Sequence, residues 1–470
     1  MTRRTAAAAA ALGTAAGSPA RRGRTTRAAA AVAAALALSL TAACGGGDGE
    51  DTEGGSAPDA KSTVDLPKLD GETVQISAVW TGPEQKNFEK VLAEFEKRTG
   101  AEVEFVPSGD NVATFIGSKV EGGAPPDVAM VAQVGVVKQF AEKGWLKPVT
   151  PETQKQLEKN YAQGWQDLGA VGGKQYGVYF KAANKSLMWY NTTAFENAGV
   201  GEAKTWDEFL QNAQTIADSG VEPVSVGGAD GWTLTDWFEN IYLSQAGPEK
   251  YDQLAAHEIK WTDPSVKKAL TTLGELFGKD QLLVGGNDGA LQTAFPESVT
   301  QTFSDTEAPK AAVVFEGDFV GVNIKNDTEA KIGEDAKVFP FPAVGDESPV
   351  VTGGDAAVRL KDSKGGKALM TFLASTDAAA IMAEQGGFVS PNKGLDTEVY
   401  PDDVQRKIAE ALIAAGDDFR FDMSDQAPAA FGGTKGEGEW KALQDFLKKP
   451  DDVEGAQRAL EDAAAQAFGN

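Results

Sequence analysis

Three kinds of side chain in this sequence suit the recognition of a hydroxyl-rich small molecule. Flat amphipathic rings can cover the C–H faces of such a molecule, carboxylates accept two hydroxyl hydrogens at once, and cations donate to hydroxyl oxygens. Trp80 and Trp232 stand beside glycine-containing turns, Trp80-Thr81-Gly82-Pro83 and Gly231-Trp232, and not on apolar helical stripes, so both are candidate platforms. Trp237 fits a platform or a core position equally, whereas Trp189, Trp206 and Trp261 read as packing. The candidate acceptors are Glu84, Asp110, Asp236, Glu316, Asp318 and Asp355, and the candidate donors are Lys181 and Arg420, with Gln133 beside them at a strand end. Asp110 suits a helix cap as well, and Arg420 suits a structural ion pair. Glu316 and Asp318 flank Gly317 at a strand end, and one of them is expected to face solvent. Asp355 follows Gly353 and Gly354, which would let backbone approach a ligand closely.

The same inventory is poor in catalytic machinery. The chain has one histidine, His257, and one cysteine, Cys44, which excludes a multi-histidine zinc site by count. No Gly-x-Ser-x-Gly turn supports a serine nucleophile, and no Gly-x-x-x-x-Gly-Lys-Ser/Thr loop offers a phosphate cradle. No cofactor or metal is expected. A glycoside hydrolase is the serious rival, because two carboxylates suffice for that chemistry. With 69 Asp and Glu residues in the chain, however, such a pair carries no information. The element order also fails to repeat eight βα units. A surface adhesion lipoprotein is a third class, and it would bind no small molecule.

These candidates need elements to hold them. Thr73 to Val79 alternates as a strand and stops at Trp80. Phe88, Val91, Leu92 and Phe95 then mark one helical face, with Pro83 and Glu84 in the first turn and Gly100 at the end. Strands follow at 102–106 and 127–131, and helices at 111–121 and 134–143. This alternation implies a mostly parallel sheet, whose ligands would lie beyond the carboxyl ends of the strands, where Trp80 and Gln133 fall. Helices are expected at 206–219, 234–245, 264–277, 402–415 and from Trp440 onward, and strands at 311–315 and 350–360. There is no internal repeat.

The amino terminus has only basic charge, with six arginines between Arg3 and Arg27, then an apolar stretch from Ala28 to Leu40. That reads as a secretory signal over 1–43, too short in its apolar part to span a membrane. Leu40-Thr41-Ala42-Ala43-Cys44 resembles a bacterial lipobox, with Thr41 where Leu is usual. A lone thiol forms no internal disulfide, whereas two acyl chains on Cys44 would give a stable membrane anchor. The segment 44–70, rich in Gly, Asp, Glu and Ser, reads as a flexible tether. The net charge is −25, and losing the six signal arginines leaves −31. Phosphate backbones repel such a surface, so nucleic acid is excluded as a partner. Some 400 remaining residues suit two lobes better than one core.

The run from Tyr176 to Asn191, then Phe195-Glu196-Asn197-Ala198-Gly199 and Thr205-Trp206-Asp207-Glu208-Phe209-Leu210, resembles family 1 extracellular solute-binding proteins. So do Gly231 to Trp237, Gln245 to Tyr251, His257 to Pro264, Phe315 to Phe319, Thr352 to Asp355 and Gly386 to Asn392. Within that family these segments are most similar to the alpha-glucoside-binding branch. The resemblance implies an α/β, two-lobed periplasmic-binding-protein-like fold of type II, like maltose-binding protein, with a carbohydrate in the cleft and an ABC permease as partner. It further implies a monomer anchored outside the cell membrane by its lipid, and three crossings, near Lys181, Phe341 and Pro391. Lobe one would then be 71–180 plus 350–391, and lobe two 182–340 plus 392–470. Pro340 and Pro342 suit a crossing.

Overall fold

The computed structural model describes residues 64–109, 111–345, 348–415 and 419–469. The signal, Cys44, most of the tether and Asp110 lie outside the described residues. Among the described residues twelve strands occur in chain order: β1 Thr73–Ala78, β2 Glu102–Pro107, β3 Val128–Val131, β4 Ala170–Val171, β5 Lys174–Gln175, β6 Gly177–Asn184, β7 Leu187–Asn191, β8 Glu222–Ser225, β9 Ala311–Glu316, β10 Ala336–Pro340, β11 Val351–Arg359 and β12 Arg420–Phe421. They form two main sheets. In the first, β12, β11, β3, β1 and β2 are ordered neighbours and β6 also pairs with β11; in the second the order is β10, β7, β9, β8.

The expected parallel arrangement holds for β1 with β2 and β3. The sheet as a whole is mixed, because β11 arrives from 220 residues later in the chain and runs antiparallel to both β3 and β6. The second sheet pairs β7 with β9 and β10 antiparallel and β8 with β9 parallel. Each sheet carries helices whose apolar stripes bury on it. The helix Gly82–Thr99 lays Phe88, Val91, Leu92 and Phe95 on the first sheet, and Trp206–Ser219 buries Trp206, Phe209, Ala213 and Ile216 on the second.

Four expectations need correction. The tether is shorter than 44–70, because Val64 and Leu69 are buried in the core of the first sheet; two apolar side chains suffice to pin that segment against it. The first crossing falls four residues later than Lys181: the chain leaves the first sheet after Asn184 and enters the second at Leu187, so Lys185 and Ser186 make the passage. The third crossing is not at Pro391. β12, at Arg420–Phe421, still pairs with β11 of the first sheet, and Met423 is the next residue to enter the core cluster under the second. Finally, the helix expected to start at Leu234 starts at Trp232; it ends as expected just after Gln245, where Gly247 is non-helical with a φ of 80° and Pro248 follows, and a second helical stretch runs on to Ala255.

Candidate functional site

Lys181 and Lys185, four residues apart at the first crossing, organise two clusters of carboxylates. Lys181 lies at the end of β6. Its cross-strand neighbour in the antiparallel pair is Asp355 of β11, a position where opposite charges stabilise a sheet. Lys181 Nζ pairs closely with Glu84, from the first turn of the helix that follows Trp80, and lies 4.0 Å from Asp355 Oδ2. The ring centroids of Trp80 and Phe319 stand 5.8 and 5.4 Å from the same ammonium. Lobe one thus supplies Trp80, Glu84 and Asp355, and lobe two supplies Phe319 and its neighbour Asp318.

Asp318 is held by the crossing itself. Its Oδ1 accepts from the Asn184 amide at 2.7 Å, and its own amide donates to the Asn184 carbonyl at 3.2 Å. Gly317 permits this turn, because a Cβ there would meet the Phe319 ring at 2.4 Å and the Asn184 carbonyl oxygen at 3.1 Å.

Lys185 is caged on the other side. Its Nζ contacts Asp422 Oδ2 at 2.5 Å, Asp236 Oδ1 at 3.2 Å and Asp425 Oδ2 at 3.8 Å, and stands 5.6 Å from the Trp232 ring centroid. The helix Trp232–Ala255 brings these groups together, since Trp232, Asp236 and Asn240 recur at intervals of four and share a face. Asn240 clamps the crossing: its amide donates to the Lys185 carbonyl at 2.9 Å and its carbonyl accepts from the Ser186 hydroxyl. Only glycine fits before that helix. Gly231 has a φ of 87°, and a Cβ there would meet Trp440 Cβ at 2.9 Å.

Burial decides the charge states. Asp236 is pushed up to about 8 by burial and by Asp422, despite Lys185. Glu316, fully buried at the end of β9, is held well above its usual value by burial and by Asp236. Two buried carboxylates in contact repel one another when both are ionised, so each pushes the other toward its protonated form. Asp422 goes the other way, to about 2: burial alone would raise it, but the Lys185 ammonium, the Ser424 hydroxyl at 2.7 Å and the Asp425 amide at 2.9 Å hold its anion. Behind this cage Glu239 accepts from Tyr251 and from the Met423 and Ser424 amides, while burial holds it and Glu439 high. Asp318 and Asp355 are each raised to about 6, mainly by burial, against the pull of Lys181. Among the described residues no group of three or more His, Cys, Asp or Glu side chains is arranged to hold a metal ion.

The structure thus brings together Trp80, Glu84, Lys181, Asp318 and Asp355 in one cluster and Trp232, Asp236 and Glu316 in the other. It also revises several roles. Trp80 is 3% exposed and packs edge-on against Phe88, so it belongs to the core, with Lys181 over its ring. Trp232, Phe295 and Phe319 form the half-buried aromatic group, with centroids 5.4 to 6.0 Å apart. Trp237 is core, packed on Phe315 and Phe341. Neither Glu316 nor Asp318 faces solvent; both are buried. Gly354 serves packing and not a ligand, since a Cβ would meet the Lys181 carbonyl oxygen at 2.6 Å and the Trp165 and Tyr179 rings at 3.2 Å. Arg420 pairs with Asp252 at 2.8 Å on a part-exposed surface. Gln133 sits beside Gly433 at the start of the helix Val134–Glu142. Sequence reasoning missed Lys185, Asp422 and Asp425. Lys185 stands in the same run as Lys181, and the Asp-x-x-Asp spacing of 422 and 425 is a helix-start pattern, the only local signal for either.

Two α/β lobes joined by three crossings, with lysines, carboxylates and rings converging at the first of them, define a hinged receptor of the binding-protein class. The chain belongs to the bacterial extracellular solute-binding proteins, whose family model matches residues 80–380. It is 35% identical over 389 residues to the osmoprotective compounds-binding protein GgtB of Synechocystis sp., covering 80% of this chain and 89% of that one. It is 33% identical over 395 residues to the alpha-glucosides-binding periplasmic protein AglE of Rhizobium meliloti, covering 81% and 84%. Among solved structures, the bacterial solute receptor AcbH superposes with a TM-score of 0.73 at 20% identity, over 84% of this chain and 99% of that one. RafE in complex with raffinose superposes with a TM-score of 0.67 at 17% identity, over 84% and 100%. Family membership makes the chain the extracellular solute-capturing component of an ABC importer.

Proposed function

We propose that the captured solute is a carbohydrate, an alpha-glucoside or short oligosaccharide, held between the lobes beside Trp232 and handed to the permease, and that Cys44 anchors the protein by its lipid to the outer face of the membrane. The observation that carries the first part is the half-buried group of Trp232, Phe295 and Phe319 standing beside Asp318, whose Oδ2 has no hydrogen-bond partner. Aromatic faces cover sugar C–H patches, and a carboxylate oxygen of this kind accepts a hydroxyl hydrogen. The similarity to AglE, an alpha-glucosides-binding protein, supports this class of ligand, and that to GgtB adds osmoprotective compounds to the solutes to be tried.

Calorimetric titration with maltose, trehalose and sucrose tests the reading. Trp232→Ala is expected to weaken binding at least tenfold with the circular dichroism spectrum preserved; unchanged affinity removes Trp232 from the site. Stoichiometric uptake without turnover is the expected behaviour, and cleavage at enzymatic rates would make the protein a glycoside hydrolase. Labelling of the secreted protein with a radioactive fatty acid, abolished by Cys44→Ser, tests the anchor.

A further inference from the structure

We propose that the cleft selects its ligand by charge, favouring a hydroxyl-rich molecule that carries a protonated amine over its neutral parent and rejecting the anionic analogue. This rests on the carbohydrate reading above and names the class of carbohydrate. The argument is one of charge balance in a desolvated place. Around the first crossing seven carboxylates converge: Glu84, Asp318 and Asp355 on Lys181, and Asp236, Glu316, Asp422 and Asp425 on Lys185. Six of the seven are buried, and only Glu84 reaches solvent appreciably, with its side chain 24% exposed. Two ammonium groups cannot neutralise seven anions, and an uncompensated buried charge is expensive. Around Lys185 the surplus is carried as bound protons, as the raised values of Asp236, Glu316 and Asp425 reflect, whereas Asp318 and Asp355, raised only to about 6, stay ionised near neutral pH and outnumber the Lys181 ammonium.

Two further observations point outward, to a ligand. Asp318 Oδ2 is an acceptor left without a hydrogen-bond partner, whereas Asp236 and Glu316 face and satisfy one another. Both lysines, the only nearby side-chain cations in the two clusters, are already committed to carboxylates. A site offering acceptors and few free donors is complementary to O–H and N–H⁺ groups and hostile to phosphate or carboxylate. An incoming ammonium would pair with the Asp318 or Asp355 carboxylate, both ionised above about pH 6, and the rings of Trp80, Phe319 and Trp232, which already face the Lys181 and Lys185 ammoniums at 5.4 to 5.8 Å, show that this place suits cations.

Matched sets decide the matter: trehalose and maltose, each unmodified, with one hydroxyl replaced by an amine at carbon 2 or carbon 6, and 6-phosphorylated. Titrated into the full-length body at pH 7.5, the better amine of a set should bind at least tenfold tighter than its parent, and the phosphate at least a hundredfold weaker. The amine advantage should shrink toward pH 5, where protons compete for the carboxylates, and Asp318→Asn should narrow the amine-to-parent ratio. If a parent binds while neither amine exceeds it, or the phosphate matches it, the charge selection is overturned and the carbohydrate reading survives. If no member of either set binds, the carbohydrate reading falls and takes this inference with it.

Discussion

The two lysine clusters are built from the same groups yet differ in where their partners come from. Lys185 is enclosed by Asp236 of the second lobe and by Asp422 and Asp425 at the third crossing, all buried, and Asn240 grips the backbone beside it. Lys181 is shared: Glu84 and Asp355 reach it from one lobe, Phe319 and Asp318 from the other, and Glu84 touches water. The Lys185 cluster ties two crossings together, while the Lys181 cluster spans the two lobes and reaches water. Equal chemistry thus forms an enclosed strut in one place and a contact shared between lobes in the other.

The largest expected effect tests the strut. Lys185→Met leaves several buried acids without their cation and should cost ~3–5 kcal/mol of stability in urea unfolding, as breaking a buried ion pair does. Lys181→Met should cost clearly less, because Glu84 can turn to water; equal losses would erase the distinction between the clusters.

A smaller effect is the dependence of stability on pH. Asp318 and Asp355, raised to about 6, bind protons in the folded state that they have lost when unfolded. Their contribution is complete below about pH 4 and is lost as pH rises through 6, and that of Asp236 is lost through about 8. Asp422, lowered to about 2, acts oppositely, its contribution being lost only as pH falls toward 2. Tyr179 and Tyr400, which neighbour Asp355 and Asp318, are raised by burial and stay neutral throughout. The protein should therefore be more stable at pH 5 than at pH 8, by about 1–2 kcal/mol for each of Asp318 and Asp355 and by more for Asp236. Thermal unfolding at the two pH values checks this, and Asp318→Asn should flatten the difference. A flat profile for the unsubstituted protein would mean that both clusters are open to water.

The smallest effect concerns a pair outside both clusters. Arg420→Ala breaks only the part-exposed contact with Asp252 and should cost under about 1 kcal/mol. A loss of sugar affinity in this variant, seen by titration, would return Arg420 to the site.

The local code carried much of the fold. Helices Trp206–Ser219 and Pro264–Phe277 follow from their apolar spacing together with Thr205 and Asp263, which cap them by accepting from backbone amides. The strands β9 and β11 follow from short apolar runs between breakers. Site residues were legible where a turn and a chemically apt side chain coincide, as at Glu84 and at Asp318 next to Gly317. Trp80 was misread for the same reason: its turn is genuine, but the helix after it folds Phe88 back over the ring. Lys185 gave no sign of its importance, because its partners stand 51 to 240 residues away along the chain.

By itself, then, the sequence determined what depends on neighbours within a turn or two: the helices and strands, the acidic surface, the scarcity of nucleophiles and the family pattern. Tertiary structure alone decided which carboxylates meet which lysine, where the chain changes lobes, and that Gly354 makes room for Lys181 and Trp165 and not for a ligand. The reason is physical. Periodicity and capping act over a few residues, whereas the ionisation of a buried group depends on every charge within several ångströms, whatever its position along the chain.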